Sequence, residues 1–280
     1  MSEQWYPMWT LSEEYTELLL IPISDIHYGA DTFSHKHLQY TVDFIANKPN
    51  ARAIGTGDWL EAAIAGSCSD IYSQTVSPQQ QMKDLIKIFE PIKDKFLGFV
   101  TGNHENRIYK ATGIDITSLI ADKFDAPYRP EGMMIKVAIG AGAERHPNQQ
   151  YVFKIYFTHG YGGARTKSAK AVKAERVATW IDADCYVVSH DHVVNVAPDI
   201  YLEVDRRTYP VGKRWTEGKM QAKRKMLVKS NAYLKWGGYS EMLGFPPVDL
   251  TTPVIQLLTP DSPYWDFYPG RRQQAVKVAV

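Results

Sequence analysis

The chain has 280 residues, of which 44% are hydrophobic and 22% charged, and its formal net charge is +1. This length suits one large domain with a substantial core, and the composition is that of an ordered globular protein. So small a net charge does not by itself indicate binding to nucleic acid or to a membrane surface. No stretch approaches the roughly 18 apolar residues that a membrane span needs, and residues 1–15 lack the pattern of a signal peptide. We therefore expect a cytoplasmic protein.

The first half of the chain alternates short apolar strands with amphipathic helices. Residues 18–24, Ala51–Gly55 and 96–100 are strand-like runs, and apolar residues at helical spacing follow the first two of them. Repeated strand–helix units favour a parallel or mixed α/β sheet with right-handed crossovers. The sequence therefore predicts a layered α/β fold.

The second half has a different pattern. Met133–Ile139 and 151–157 read as an antiparallel pair, and a helix is expected after His159. Cys185–Val188 is a further apolar strand, in which we expect Cys185 to be a buried thiol. The last predicted strand is Val254–Leu258.

One segment is distinctly basic, since residues 206–225 contain eight lysines and arginines against the single acid Glu217. It interrupts two strand-like segments. We expect one domain over residues 1–280, with a core of about 18–204 plus 227–260 and a basic excursion at 205–226.

Polar residues follow five of the predicted strands, where α/β sheets carry their chemistry. Seven of them can bind a metal: Asp25, His27, Asp58, Asn103, His159, His190 and His192. Side chains two apart in a strand lie on one side, so the residues of the first and last pairs should converge. Imidazole, carboxylate and amide ligands suit Mn, Fe or Zn better than Ca or Mg. Seven ligands suffice for two ions if one carboxylate bridges, and two-metal sites recur in phosphoryl hydrolysis.

The order of these motifs resembles the calcineurin-like metallophosphoesterase superfamily over roughly residues 21–193. The motifs are Asp25-x-His27, Gly57-Asp58, Gly102-Asn103-His104-Glu105, His159-Gly160 and His190-x-His192. The resemblance implies an α/β fold of the α+β type. In it, two mixed β-sheets are sandwiched and flanked by helices, in four layers, with a dinuclear site at the strand ends.

The resemblance also implies a role for each motif residue. Asp25, His27 and His192 would hold one ion, Asn103, His159 and His190 the other, and Asp58 would bridge them. A metal-bridging hydroxide would attack phosphorus in line, and His104 would contact the phosphate and protonate the leaving oxygen. We expect two divalent transition-metal ions, Mn first, with Fe and Zn as alternatives.

Two departures from the family pattern bear on the backbone turn and on the substrate. Ser189 stands where the last motif usually has glycine, so the turn there could differ. Trp59-Leu60-Glu61 follows Asp58 in place of the Asp-Arg-Gly of protein Ser/Thr phosphatases, which weakens that assignment. Residues 235–239 resemble phosphoesterases encoded by phages and prophages.

We therefore predict a metallophosphoesterase that is phosphodiesterase-like or nuclease-like. DNA or RNA is the first substrate expected and a nucleotide second messenger the next. Two alternatives stay open: a phosphomonoesterase acting on a nucleotide or small metabolite, and a non-catalytic scaffold on the same fold.

Several further residues could surround the site. Arg107, Tyr161 and Arg165 are candidates for substrate binding, and Glu105 could orient a ligand histidine or form a surface ion pair. Basic residues also recur every third position on the helix after His159. These are Lys167, Lys170, Lys173 and Arg176. Such a stripe is usually a solvated face, but with residues 206–225 it could track a phosphate backbone near the site.

Overall fold

The computed structural model describes residues 4–67, 69–141, 149–164, 166–237, 241, 247, 249–265 and 275–280, without the side chains of 205–207. The strands are β1 Met8–Thr10, β2 Glu17–Ile23, β3 Ala51–Gly55, β4 Phe96–Phe99, β5 Met133–Ile139, β6 Tyr151–Thr158, β7 Cys185–Val188, β8 Asn195–Pro210, β9 Thr216–Lys229, β10 Val254–Leu258 and β11 Ala275–Ala279. The helices are α1 His35–Ala46, α2 Pro78–Phe89, α3 Asn103–Thr112, α4 Ile116–Lys123 and α5 Lys167–Trp180, with a 3₁₀ turn at Glu90–Lys95.

The strands form two mixed sheets. One has the order β11-β10-β2-β3-β4, in which β2, β3 and β4 are parallel. The other has the order β1-β5-β6-β7-β9-β8, in which β6, β7 and β9 are parallel and β5 is antiparallel to β6. The predicted antiparallel pair and the mixed α/β sheet are confirmed.

β2 is apolar on both faces because each face packs in a different hydrophobic cluster. Its residues Ile21 and Ile23 pack in the cluster that α1, α2 and α4 cover. Leu18 and Leu20 point the other way, into the cluster between the two sheets. A strand that is buried on both faces reads as a continuous apolar run, which is the pattern seen in the sequence.

A third apolar cluster lies on the far side of the second sheet, beneath α5, and includes Ala174, Val177 and Tyr186. The layers are therefore helices, sheet, sheet and helix, as expected. Cys185 is a buried free thiol. The longest helix among the described residues has only 14 residues, and none there could cross a membrane.

The basic segment lies in a long hairpin formed by β8 and β9. β9 pairs with β7 over Met226–Lys229, and among the described strands its remaining residues pair only with β8. We call residues 199–225 the β8–β9 arm. The arm extends past the start of β7, away from the strand end that carries His190. Thirteen residues at about 3.3 Å each place Thr216 roughly 40 Å from Lys229.

The basic stripe on α5 is not a solvated face, and that interpretation is wrong. Lys170 and Lys173 are buried, whereas Lys167 and Arg176 are exposed. The two buried lysines turn inward because both contact Asp191, which lies in the loop after β7.

Candidate metal centre

The seven predicted ligands meet at one rim of the two sheets, because β2, β3 and β4 of one sheet and β6 and β7 of the other all end there. They form two sets with one residue between them. Within each set, the carboxylate oxygens and imidazole nitrogens are close together. Asp25, His27 and His192 have such atoms within 4.8 Å of one another, and so do Asp58, His159 and His190.

The first set consists of Asp25, His27 and His192. The Nε2 atom of His192 lies 3.2 Å from Oδ1 of Asp25 and 3.2 Å from Nε2 of His27. Asp25 and His27 are buried and His192 is partly exposed, so the set opens to solvent on the His192 side.

The second set consists of Asn103, His159 and His190. The Nε2 atom of His159 lies 3.0 Å from Oδ1 of Asn103 and 3.2 Å from Nδ1 of His190. His159 is buried, whereas Asn103 is exposed at the N-terminus of α3.

Asp58 lies between the two sets. Its Oδ2 atom is 3.2 Å from Nε2 of His159 and 3.8 Å from Nε2 of His27. Its Oδ1 atom accepts a hydrogen bond of 2.9 Å from the backbone N–H of His104. One carboxylate oxygen thus faces both sets while the other is held by the protein.

Five ligand residues adopt left-handed backbone conformations. Asp25, His27, Asp58, His190 and His192 have φ between 48° and 73°. They lie beyond the ends of their strands, so strand alternation is not what makes their side chains converge. Non-glycine residues enter this region at a cost, and such residues concentrate at functional sites.

Three ligand imidazoles are oriented by contacts at the ring nitrogen that faces away from the site. Nδ1 of His159 bonds to the carbonyl of Thr56 at 2.8 Å, and Nε2 of His190 to the carbonyl of Gly162 at 2.8 Å. Nδ1 of His27 lies 3.2 Å from Oε2 of Glu61. With the proton on the outer nitrogen, the inner nitrogen of each ring is directed at the site and is available to a metal ion.

The donor set fits divalent transition-metal ions. Ring nitrogens face one another at 3.2 Å. Among the described residues the buried Oδ1 of Asp25 has no donor in hydrogen-bonding geometry, although Nε2 of His192 lies 3.2 Å from it. Burial alone would raise the pKa values of Asp25 and Asp58, but the neighbouring imidazoles hold both below their usual range. A bound cation would pair with these anionic oxygens and take the place of the imidazole protons that face them.

His104 lies beside Asp58 and packs edge-on against the ring of His27 at 4.3 Å between centroids. Its Nδ1 bonds to the carbonyl of Glu61 at 2.7 Å, and its Nε2 lies 3.9 Å from Oδ2 of Asp58. Burial lowers the pKa of His104 to about 4, although Asp58 opposes the shift. The ring is therefore a neutral imidazole whose Nε2 faces the site.

Glu105 is buried and holds two loops together. Its carboxylate accepts hydrogen bonds from the backbone N–H groups of Asp58, Leu60 and Gly102 at 2.9–3.1 Å. Burial and the charge of Asp58 raise the pKa of Glu105 to about 7. Its partners are the ligand-bearing loops rather than a ligand histidine.

The two loops that Glu105 joins are also in backbone contact. A Cβ atom at Gly102 would lie 2.1 Å from the backbone nitrogen of Asp58, and one at Gly57 would lie 2.6 Å from the nitrogen of Gly102. Only glycine permits this approach, which brings Asp58 beside Asn103.

The remaining predicted positions lie around this centre. Arg107 donates to Oγ of Ser69 at 2.9 Å, and Tyr161 is exposed after Gly160. Arg165 lies outside the described residues. Ser189 is buried and bonds to the hydroxyl of Thr56 at 2.7 Å, so its side chain turns away from the ligands.

Sequence reasoning assigned no role to Glu61, which contacts two histidines of the centre. Its position three residues after Asp58 was the available signal, because a carboxylate so close to a strand-end aspartate can reach the same rim. Burial alone would raise the pKa of Glu61, but contact with His27 lowers it to about 2, so the group is a carboxylate.

A groove of about 550 Å³ opens beside the second ligand set. Besides Asn103 and His159, its lining includes Asn106, Tyr109, Asp115 and Glu131. The groove is thus neutral to acidic.

The chain matches no protein-family model and no curated protein. Solved structures similar to it include the calcineurin-like phosphoesterase YfkN from Bacillus subtilis, at 12% identity and a TM-score of 0.42, covering 94% of this chain and 90% of that one. Wild-type Vps29 from Entamoeba histolytica, complexed with zinc, has 13% identity and a TM-score of 0.38, covering 94% and 98%. The nuclease MPE from Pseudomonas putida has 11% identity and a TM-score of 0.35, covering 85% and 82%.

Identities and TM-scores this low carry no argument about what the chain binds or hydrolyses. The ordered motifs and the architecture are features of the chain itself. With two mixed sheets between helices and five ligand motifs at one rim, the chain resembles the calcineurin-like metallophosphoesterases in both sequence pattern and fold.

Proposed function

We propose that the chain is a dinuclear metal-dependent phosphoesterase that hydrolyses phosphodiester bonds in nucleic acids or nucleotides. The observation that carries this proposal is the position of Asp58. One of its oxygens, Oδ2, faces both ligand sets, and Nε2 of His104 lies 3.9 Å from the same oxygen.

The seven predicted ligands would hold two metal ions. Asp25, His27 and His192 would hold one ion, Asn103, His159 and His190 the other, and Asp58 both. When bound, two divalent ions, Mn²⁺ first among the candidates, would neutralise phosphate oxygens and lower the pKa of a water molecule. The outer contacts of the histidines keep their inner nitrogens aimed at these positions.

His104 would act on the substrate rather than on an ion. Its Nδ1 is held by the carbonyl of Glu61, so only Nε2 is available to a phosphate oxygen or a leaving oxygen. Burial lowers the pKa of the free imidazole, and an anionic phosphate within hydrogen-bond distance would raise it again. Substrate binding would thereby favour protonation of His104, which could then donate this proton to the leaving oxygen.

The groove supports a diester substrate. Its volume is in the range that holds a small organic group. Because Asp115 and Glu131 line it, the groove itself suits the uncharged nucleoside on one side of the diester better than a phosphate. The β8–β9 arm, with its tip roughly 40 Å from Lys229, adds no support for a polyanion held at the centre itself.

The test compares hydrolysis of bis-p-nitrophenyl phosphate and p-nitrophenyl phosphate by the full chain in Mn²⁺. We expect the diester to be preferred and Asp58→Asn to abolish both reactions. A strong monoester preference would replace the proposal by a phosphomonoesterase. If the protein binds no metal after incubation with Mn²⁺ and hydrolyses neither ester, the result would favour a scaffold.

The role of His104 has a test of its own. His104→Asn should slow diesters with poor leaving groups far more than activated ones, because only the former need a proton on the leaving oxygen. His35→Asn, a substitution at an exposed histidine off the site, is the control and should change neither rate. Equal losses for both kinds of diester would assign His104 to phosphate binding instead.

A further inference from the structure

We propose that Asp191 is a positioning residue which, clamped by three buried lysines, sets the separation between the two ligand sets. The inference rests on the proposed metal-dependent function. It concerns the loop that fixes the position of one ligand set relative to the other. Asp191 is not itself a ligand, because its carboxylate faces the lysines.

The clamp is made of short contacts from two elements. Lys173 of α5 reaches Oδ1 of Asp191 at 2.5 Å, and Lys229 at the end of β9 reaches Oδ2 at 2.5 Å. Lys170 of α5 donates to the backbone carbonyl of Asp191 at 2.9 Å, and Lys229 also donates to the carbonyl of Ser189 at 2.9 Å. Both the side chain and the backbone of this loop are therefore held.

The cluster is buried far more deeply than ion pairs usually are. The side chains of Asp191, Lys229 and Lys173 are 2%, 1% and 9% exposed. Two ammonium groups face the carboxylate of Asp191, and a third faces its backbone carbonyl. Buried ion pairs add little net stability because desolvation offsets their attraction. Fixing one loop conformation is the property that such a cluster supplies better than apolar packing would.

The loop needs fixing because of its backbone. His190 and His192, on either side of Asp191, have φ of 73° and 53°. A left-handed backbone is strained for a residue with a side chain, and it persists only where the surrounding structure holds it. The lysines on Ser189 and Asp191 are such surroundings.

The clamp acts on both ligand sets at once. His190 belongs to the set with His159, and His192 to the set with Asp25, so Asp191 is one residue from each set. A second link runs through Gly162, whose carbonyl accepts from Lys173 at 3.3 Å and from Nε2 of His190 at 2.8 Å. A shift of Asp191 would move both histidines relative to each other.

The test uses Asp191→Asn with Asp182→Asn as a matched control. Asp182 also pairs with a lysine, Lys154, but its side chain is 72% exposed at the surface. Metal-free full chain is titrated with Mn²⁺ by calorimetry, and the spectrum of the exchange-coupled Mn²⁺ pair is recorded by electron paramagnetic resonance. Thermal unfolding of the metal-free proteins reports their folding separately.

We expect wild type and Asp182→Asn to bind two Mn²⁺ ions and to show the coupled spectrum. Folded Asp191→Asn should bind at least one ion about tenfold or more weakly, within the range typical of outer contacts of metal ligands, and should lose the coupled spectrum. Unchanged affinities and spectrum in folded Asp191→Asn would overturn the inference.

A second variant covers the case in which Asp191→Asn does not fold. Lys173→Gln keeps the Lys229 contact and should weaken Mn²⁺ binding about threefold or more, and unchanged binding would overturn the inference. Wild type that binds Mn²⁺ in a clamp-dependent way without hydrolysing any phosphoester would overturn the proposed activity alone. Wild type that binds no Mn²⁺ would overturn both.

Discussion

Glu105→Gln should lower the stability of the metal-free chain and weaken its metal centre, although it removes no ligand. The carboxylate of Glu105 accepts three backbone N–H groups that belong to the loops of Asp58 and Gly102. Glutamine has nearly the same shape but only one acceptor oxygen. Its amide group must therefore face at least one of these buried donors.

The magnitude follows from the contacts. If the glutamine oxygen takes the place of Oε2, it keeps the bonds to Asp58 and Gly102, and its NH₂ group meets the N–H of Leu60. One charge-assisted hydrogen bond is then lost and one buried donor is left unpaired, which costs about 2–4 kcal/mol. Total stabilities are about 5–15 kcal/mol, so the variant should still fold.

Urea unfolding of the metal-free protein measures the free energy of unfolding, and a Mn²⁺ titration measures the effect on the centre. Glu175→Gln, the same change on the exposed side of α5, is the control and should leave both within about 0.5 kcal/mol of wild type. If Glu105→Gln were as stable as that control, the three amide contacts would not hold the loops together.

Two further substitutions test the packing of the site and the remoteness of the arm. Gly102→Ala places a Cβ atom 2.1 Å from the backbone nitrogen of Asp58. It should lower the free energy of unfolding by about 3 kcal/mol and remove most of the proposed phosphoesterase activity. A Cβ atom at Gly163 would meet no described atom within 4 Å, so Gly163→Ala should be neutral in the same unfolding and rate measurements. An active, stable Gly102→Ala would contradict the close approach of the two loops. Replacing Lys213 and Arg214 of the β8–β9 turn by serine should leave hydrolysis of bis-p-nitrophenyl phosphate within about twofold, because the turn lies roughly 40 Å from the strand end at the centre; a tenfold loss would show that the arm reaches the site.

The local hydrophobic pattern of the sequence was sufficient to predict the fold class. The apolar runs that became β2, β3 and β7 are buried on both faces, and such strands keep their signature in any sequence. The predicted ligands were also visible, because each follows one of the strands that the sequence predicted. Their placement at one rim required parallel strands within each sheet, and also the packing of the two sheets with these strand ends on the same side.

Charge patterning was a poorer guide. The lysines of α5 have the spacing of a solvated stripe, yet Lys170 and Lys173 are buried. Their partner Asp191 lies about 20 residues away along the chain, and only the packing of α5 against the loop after β7 brings them together. Glu61 was missed for a related reason, since its contacts with His27 and His104 depend on how the loop after β3 folds back.

The sequence by itself determined which residues can bind metal and the order in which the strands present them, because ligand chemistry and strand hydrophobicity are local properties. The tertiary structure decided how those residues face one another. Left-handed turns at Asp25, Asp58 and His190, and the contact between the Gly57 and Gly102 loops, set the geometry of the centre. These features arise where separate strand ends meet, so each depends on contacts between residues that are far apart in the chain.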